Sequence, residues 1–204
     1  MPLSAEIAGS LTNEWQTGLC ESPCRAPCTF CCGCVLPCFV AGRQRGQILD
    51  VIGEPYVCCG GMFPCCCFGT PQDRCCMWCE SCLCPGLAVA ANRFLLQTRF
   101  GRQNTACDDC IYTLTCLVSC SVCILECVGC DVPEGIENCV DLLNHCVIGC
   151  TLAQNKVEID HIKTQRYFGP DPRIVAMLPP TQQEMINAAK FGGYSSSGSS
   201  SSSE

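Results

Sequence analysis

Thiols are the groups with chemistry to offer in this chain, and their spacing carries the first information. Cys116, Cys120, Cys123, Cys127 and Cys130 follow one another at intervals of four, three, four and three, the period of one helix face. Cys139, Leu143, Cys146 and Cys150 repeat that spacing after Val132-Pro133-Glu134-Gly135, where proline and glycine predict a turn and a new helix start. The expectation is an antiparallel helix hairpin with a cysteine seam. A thiol is a small hydrophobe as well as a ligand, so the seam reads either as close packing or as a cross-link. In the second reading Cys123, Cys127, Cys146 and Cys150 place two sulfurs one turn apart on each helix, enough for one zinc ion or two disulfides. His145 lies beside the seam and reads either as a further ligand or as a hydrogen-bonded helix histidine.

Two more clusters precede the hairpin. Cys20, Cys24, Cys28, Cys31, Cys32, Cys34 and Cys38 are interrupted by Pro23, Pro27 and Pro37, which predict turns with a short helix near Phe39. The next cluster runs from Cys58 to Cys84, includes Cys65, Cys66 and Cys67, and carries overlapping C-x2-C steps at Cys76, Cys79 and Cys82. Each step brings two thiolates within bite distance of one tetrahedral ion. Cys59, Cys76, Cys79 and Cys82 are therefore the candidate ligands of a loop zinc site.

Twenty-seven cysteines in 204 residues, about 13 %, exceed the level of an ordinary globular chain. Met1 to Ser10 has no basic n-region and no continuous apolar run, so a cleaved secretory signal is not expected. A cytosolic or cytosol-facing setting is reducing, which ranks metal ligands and free thiols above disulfides. A net charge of −7 with twelve lysines and arginines excludes broad nucleic-acid binding, which needs a basic surface. Neither a P-loop nor a dinucleotide fingerprint is present, and no hydrolase or transferase constellation stands out.

The elements that must position these thiols are mainly α. Residues 1–11 read as a polar lead-in, 12–165 as a cysteine-rich domain, and 166–204 as a Pro/Ser-rich, largely disordered tail with a short helix from Thr181 to Lys190. Between Ala41 and Val57 the cysteines stop, and the segment reads as a mobile polar link or a frayed helix end. Leu83 to Phe100 reads as one amphipathic helix stopped at Gly101, with Arg93, Arg99 and Arg102 either solvated or touching a membrane surface. The run 110–130 approaches bilayer length, but Glu126 inside it favours a buried hairpin or a shallow membrane insertion over a clean span. Asp131, Glu134, Glu137 and Asp141 are accounted for by the helix dipole rather than by calcium.

Four stretches carry a family resemblance: Tyr56-Val57-Cys58-Cys59-Gly60-Gly61, Ala91-Asn92-Arg93-Phe94-Leu95-Leu96-Gln97, Cys107-Asp108-Asp109-Cys110 and Gly149-Cys150-Thr151-Leu152-Ala153-Gln154. Through them the segment from Trp15 to about Lys163 resembles the placenta-specific-eight cysteine-rich family, which includes plant cadmium-resistance proteins and cell-number regulators. With the Phe168-Gly169-Pro170 exit it is similar to a longer plant and protist branch. The resemblance implies a small membrane-associated protein without enzymatic activity, tied to heavy-metal tolerance, organ size or calcium uptake. Family members linked to metal export share a CC-x4-CPC motif, whereas this chain has Cys31-Cys32-Gly33-Cys34-Val35-Leu36-Pro37-Cys38 and Cys82-Leu83-Cys84-Pro85. The expected function is a membrane-associated, non-enzymatic role in heavy-metal handling or growth control, with protein partners that include a second copy of the chain. The alternative is a soluble interaction module stapled by zinc or packed thiols. A thiol-disulfide enzyme ranks third, because a redox C-x2-C sits exposed at a helix N-terminus rather than massed with other thiols.

Overall fold

A computed structural model describes residues 5–63 and 70–191; Cys65, Cys66, Cys67 and the serine-rich end lie outside the described residues. The fold is mainly α. Helices α1 (Ala5–Ser10), α2 (Ser22–Arg25), α3 (Pro27–Val35) and α4 (Pro37–Ile52) lead to a 3-10 turn at Cys58–Gly61. Then come α5 (Arg74–Leu83), α6 (Pro85–Phe100), α7 (Ala106–Cys127), α8 (Glu134–Lys163), α9 (Pro172–Met177) and α10 (Pro180–Phe191). Two short strands, β1 (Asn13–Glu14) and β2 (Arg102–Gln103), pair in parallel.

The prolines initiate helices here. Pro23, Pro27, Pro37 and Pro85 stand in the first turns of α2, α3, α4 and α6, where the missing N–H would have had no intrahelical partner. The segment expected to be turns is therefore helical, and most of the expected polar link at 41–57 is α4. The two proline corners repeat each other: Cys31-x2-Cys34-x2-Pro37 opens α4 and Cys79-x2-Cys82-x2-Pro85 opens α6. Each helix is 16 residues long and stops at a left-handed glycine, Gly53 at φ 71° and Gly101 at φ 67°, a conformation only glycine adopts without cost. A third Cys127-x2-Cys130-x2-Pro133 precedes α8.

Helices α4, α6 and α8 run in the same direction. Ala41, Ala88, Val89 and Leu152 meet at one level, and further along Ile48, Leu49, Leu95, Leu96, Ile159 and Ile162 meet at another. Helix α3 crosses α8 where Gly33 and Gly149 face each other; a Cβ on Gly149 would stand 2.5 Å from Cys34 Sγ. Helix α6 is buried around most of its circumference, at Ala88, Ala91, Asn92, Leu96 and Arg99 among others, so it is a central helix rather than a one-faced one.

Arg93, Arg99 and Arg102 correct the expectation of a solvated or membrane-facing stripe: all three are buried. Arg99 holds Glu54 through Nε to Oε1 at 2.6 Å and Nη2 to Oε2 at 2.8 Å, and its Nη2 also reaches Gln182 Oε1 at 2.6 Å. Arg102 Nε lies 2.7 Å from Glu158 Oε1, an ionic contact whose N–H does not point at the oxygen. Arg93 donates to Gln154 Oε1 at 2.6 Å and Asn104 Oδ1 at 2.7 Å, and its guanidinium stacks 4.4 Å from the Trp15 ring. Burial pulls the Arg93 pKa below the usual arginine value, opposed by Tyr112 and Asp108. Buried charges need partners, and these pairs came from segments far apart in sequence.

Packing also crosses both expected domain boundaries. Ile7 and Leu11 of the lead-in bury against Ile174, Leu178 and Ile186, and Gln182 donates to the Gly60 carbonyl. Residues 172–191 thus belong to the folded body. The helix expected at Thr181 to Lys190 corresponds to α10.

Candidate functional site

Two places gather chemistry, one inside the body and one on the hairpin. Inside, the 3-10 turn bends through Cys59 at φ 52°, Gly60 at φ 60° and Gly61 at φ 69°. A left-handed cysteine is strained by about 1 kcal/mol or more. Its N–H is held by Glu80 Oε2 at 2.8 Å, and a Cβ on Gly61 would meet Met185 Sδ at 3.0 Å. The turn therefore presents the vicinal thiols of Cys58 and Cys59, whose sulfurs stand 3.8 Å apart.

Glu80 projects from the buried side of α5 to meet them. Its Oε2 also accepts from Tyr56 Oη at 2.7 Å, and its Oε1 lies 3.3 Å from Arg45 Nη2. Arg45 in turn donates to Asn92 Oδ1 and to the Ala88 carbonyl. Burial lowers the Arg45 pKa, opposed chiefly by Glu80. Burial, then Glu80, then Cys58 push the Cys59 thiol up to about 12; Cys58 is raised by burial and by Glu80. Among the described residues, Cys58, Cys59 and Glu80 are the one group of three with potential ligand atoms all within 4.8 Å. Two sulfurs and a carboxylate fit a soft dication by type, and such an ion would reverse the penalty on thiolate formation. The carboxylate, however, is already engaged by three protein donors, so the arrangement holds protonated thiols against a structural ion pair.

The expected quartet of Cys59, Cys76, Cys79 and Cys82 is not gathered in that way. Cys59 faces Glu80; Cys76 is half-buried beside Cys75 and Cys79; Cys79 and Cys82 are exposed, with Cys38 against Cys82. The signal for the site that does form was Glu80 itself, the one charged residue between Arg74 and Arg93.

The hairpin of α7 and α8 is present, and its base is fixed by polar contacts. Thr105 caps α7 by accepting from the Asp108 N–H at 3.1 Å. Asp108 accepts from the Leu19 N–H and Gln154 Nε2, each at 3.2 Å. Tyr112 Oη meets Thr151 Oγ1 at 2.8 Å, and Ser119 Oγ meets Asn144 Oδ1 at 3.1 Å. These two contacts fix an antiparallel register, seven residues on along α7 for seven back along α8.

The cysteines do not form the contact face. On α7 the side turned to α8 carries Thr115, Ser119 and Val122, half-buried, while Cys116, Cys120, Cys123 and Cys127 are exposed one step round the helix. The period of the seam is correct and its phase is rotated, because small hydroxyl side chains fill the interface. The register also separates the second expected quartet. Cys123 is level with Val140 and Cys127 with Ile136, whereas Cys146 and Cys150 are level with Leu117 and Thr113. Six residues between Leu117 and Cys123 amount to about 9 Å along the axis. The twenty-four cysteines among the described residues are free thiols.

His145 Nδ1 sits 2.8 Å from the Asp141 carbonyl, the hydrogen-bonded helix histidine of one of its two readings. Compared with protein-family models, curated proteins and solved structures, the chain matches none.

Proposed function

We propose that the protein is a non-enzymatic, membrane-surface protein whose α7–α8 hairpin lies in the outer part of a leaflet, and whose water-facing thiols handle a soft metal such as zinc. The observation that carries this is α7 itself. It is long and apolar enough to cross a bilayer, yet only 6 % of its apolar stretch is buried by the rest of the chain. Leu114, Leu117, Ile124 and Leu125 are exposed along it.

In an antiparallel pair, equal steps from the contact line turn to the same face. One face of the hairpin therefore carries Leu114, Val118 and Leu125 with Ile136, Leu143 and Val147. The other carries Cys116, Cys120, Cys123 and Cys127 with Glu134, Asn138, Asp141 and His145. An apolar face opposite a charged one suits a helix lying in the interface plane. A perpendicular span would carry Asp141, level with Val122, into hydrocarbon, at about 2.5 kcal/mol or more. Glu126 falls in the Thr115–Ser119–Val122 stripe rather than on the apolar face.

Flotation with phosphatidylcholine vesicles tests the reading. The wild-type chain is expected in the lipid fraction, and Val118→Glu with Leu125→Glu, both exposed on the apolar face, is expected to leave it without loss of helix content. A wild-type chain that stays at the bottom of the gradient removes the membrane half of the proposal. A second reading has its own observation: Leu114, Val118, Ser121, Leu125 and Val128 repeat at four, three, four and three, the spacing of a helix–helix seam. In that case the same face packs against a second copy, and sedimentation without lipid reports a dimer.

A further inference from the structure

We propose that Cys116, Cys120 and His145 form one soft-metal site on the water-facing side of the hairpin, taking zinc or cadmium with a fourth position left open. This deepens the metal-handling half of the proposed function and rests on it, while it is independent of whether lipid covers the opposite face.

The two sulfurs are already in chelating geometry. Cys116 Sγ and Cys120 Sγ, one turn apart on α7, stand 3.9 Å from each other. Two thiolates each about 2.3 Å from one tetrahedral ion stand about 3.8 Å apart. The third ligand follows from the register. Ser119 and Asn144 touch across the hairpin at 3.1 Å, and Cys120 and His145 are the next residues on each helix. Each advances about 100° in the same sense, and in an antiparallel pair that turns both to one face.

The imidazole is arranged for this role. Its Nδ1 is 2.8 Å from the Asp141 carbonyl, which as an N–H donor to that oxygen leaves Nε2 with a free lone pair. Ligating histidines commonly hold their other nitrogen in this way. All three side chains are exposed, so an ion reaches them without opening the body. The three donor atoms do not all lie within 4.8 Å of one another in this conformation, so binding requires the exposed Cys120 and His145 side chains to turn towards a common point between the helices. Two thiolates and one imidazole select zinc, cadmium and copper(I) over magnesium or calcium. Three protein ligands leave one coordination position for water or an incoming donor, which suits an ion that is passed on rather than one that staples the fold. Each thiol that binds releases its proton to solvent.

The chain has two histidines, so imidazole nitrogen is a specific reporter among many sulfurs. Full-length protein labelled with 15N at histidine is titrated under reducing conditions with zinc, then with 113Cd, while the His145 and His161 side-chain nitrogens are followed by NMR. The expected result is a large shift of His145 Nε2 and its splitting by 113Cd, with His161 unmoved. Both effects are expected to vanish in Cys116→Ser/Cys120→Ser, whose exposed sites leave helix content unchanged. If elemental analysis finds zinc bound at saturation and His145 does not shift, this site is overturned while metal handling by other thiols stands. If no zinc is retained after buffer exchange, both fall. A shift of His145 that persists in the double serine variant also overturns the site, because the thiolates would then not be its partners.

Discussion

Replacing Arg99 by methionine isolates the buried ion pair that ties α6 to the loop after α4 and to α10. In the native fold the Arg99 and Glu54 side chains are 0 % and 1 % exposed, with two short bonds between them. Methionine keeps much of the volume and removes the charge, so Glu54 is left buried with neither of its guanidinium bonds, and Gln182 Oε1 loses its donor. Removing one partner of a buried pair costs about 3–5 kcal/mol, a large part of the 5–15 kcal/mol that holds a typical domain. With a urea slope of about 2 kcal/mol per M, a loss of 4 kcal/mol lowers the midpoint by about 2 M. The assay is urea unfolding followed by far-ultraviolet circular dichroism in reducing buffer. Arg99→Met with Glu54→Leu is expected to recover most of the loss, since a hydrophobic pair of similar volume is often neutral. An Arg99→Met midpoint within about 0.3 M of wild type would refute the reasoning, as would a double variant no better than the single one.

Three further outcomes follow from particular contacts. Cys59 and Tyr56 both hold their protons more tightly in the folded chain, through burial and then through Glu80. Stability is therefore fully present below about pH 8.5 and falls as pH rises toward 12, by up to about 1.4 kcal/mol per pH unit for each group; thermal melts from pH 7.5 to 10.5 should show the fall, and Cys59→Ala should lessen it. Gly149→Ala puts a Cβ 2.5 Å from Cys34 Sγ and 3.1 Å from Phe30 Cδ2, an overpacking cost of about 1–3 kcal/mol against a helix gain of about 1; a lower melting temperature, partly restored by Cys34→Ala, is expected. Replacing Cys146 and Cys150 together by serine should leave metal content unchanged, because the register keeps them from Cys123 and Cys127; loss of one equivalent by elemental mass spectrometry would contradict that register.

Periodicity located the hairpin and its turn but not its phase. Cysteine and the neighbouring Thr115, Ser119 and Val122 share the same 3.6-residue period, and which stripe faces α8 depends on how closely the backbones approach. Proline hides its role for a related reason: Pro27 and Pro37 stop one helix and start the next in the same stroke, and sequence shows the interruption more plainly than the restart. Arg93, Arg99 and Arg102 look like surface residues in the sequence because a charge is usually solvated. Their partners Glu54, Asp108, Gln154 and Glu158 lie in other segments, and only the fold brings them together. The correspondence between the Pro37 and Pro85 corners was available in the sequence, and it places Arg45 and Arg93 at the same position of two like helices. The candidate site was half legible: Cys59 was on the expected list of ligands, while its neighbours Cys58 and Glu80 were not, since a single acid in a cysteine run gives no periodic signal.

Hydrogen–deuterium exchange of the full chain with and without phosphatidylcholine vesicles tests the central claim most directly. Peptides covering 111–147 are expected to exchange more slowly when vesicles are present, with α4 and α6 unchanged because the body they build is already closed. Equal exchange of the hairpin in both conditions, at lipid concentrations that float a known interfacial peptide, would contradict it.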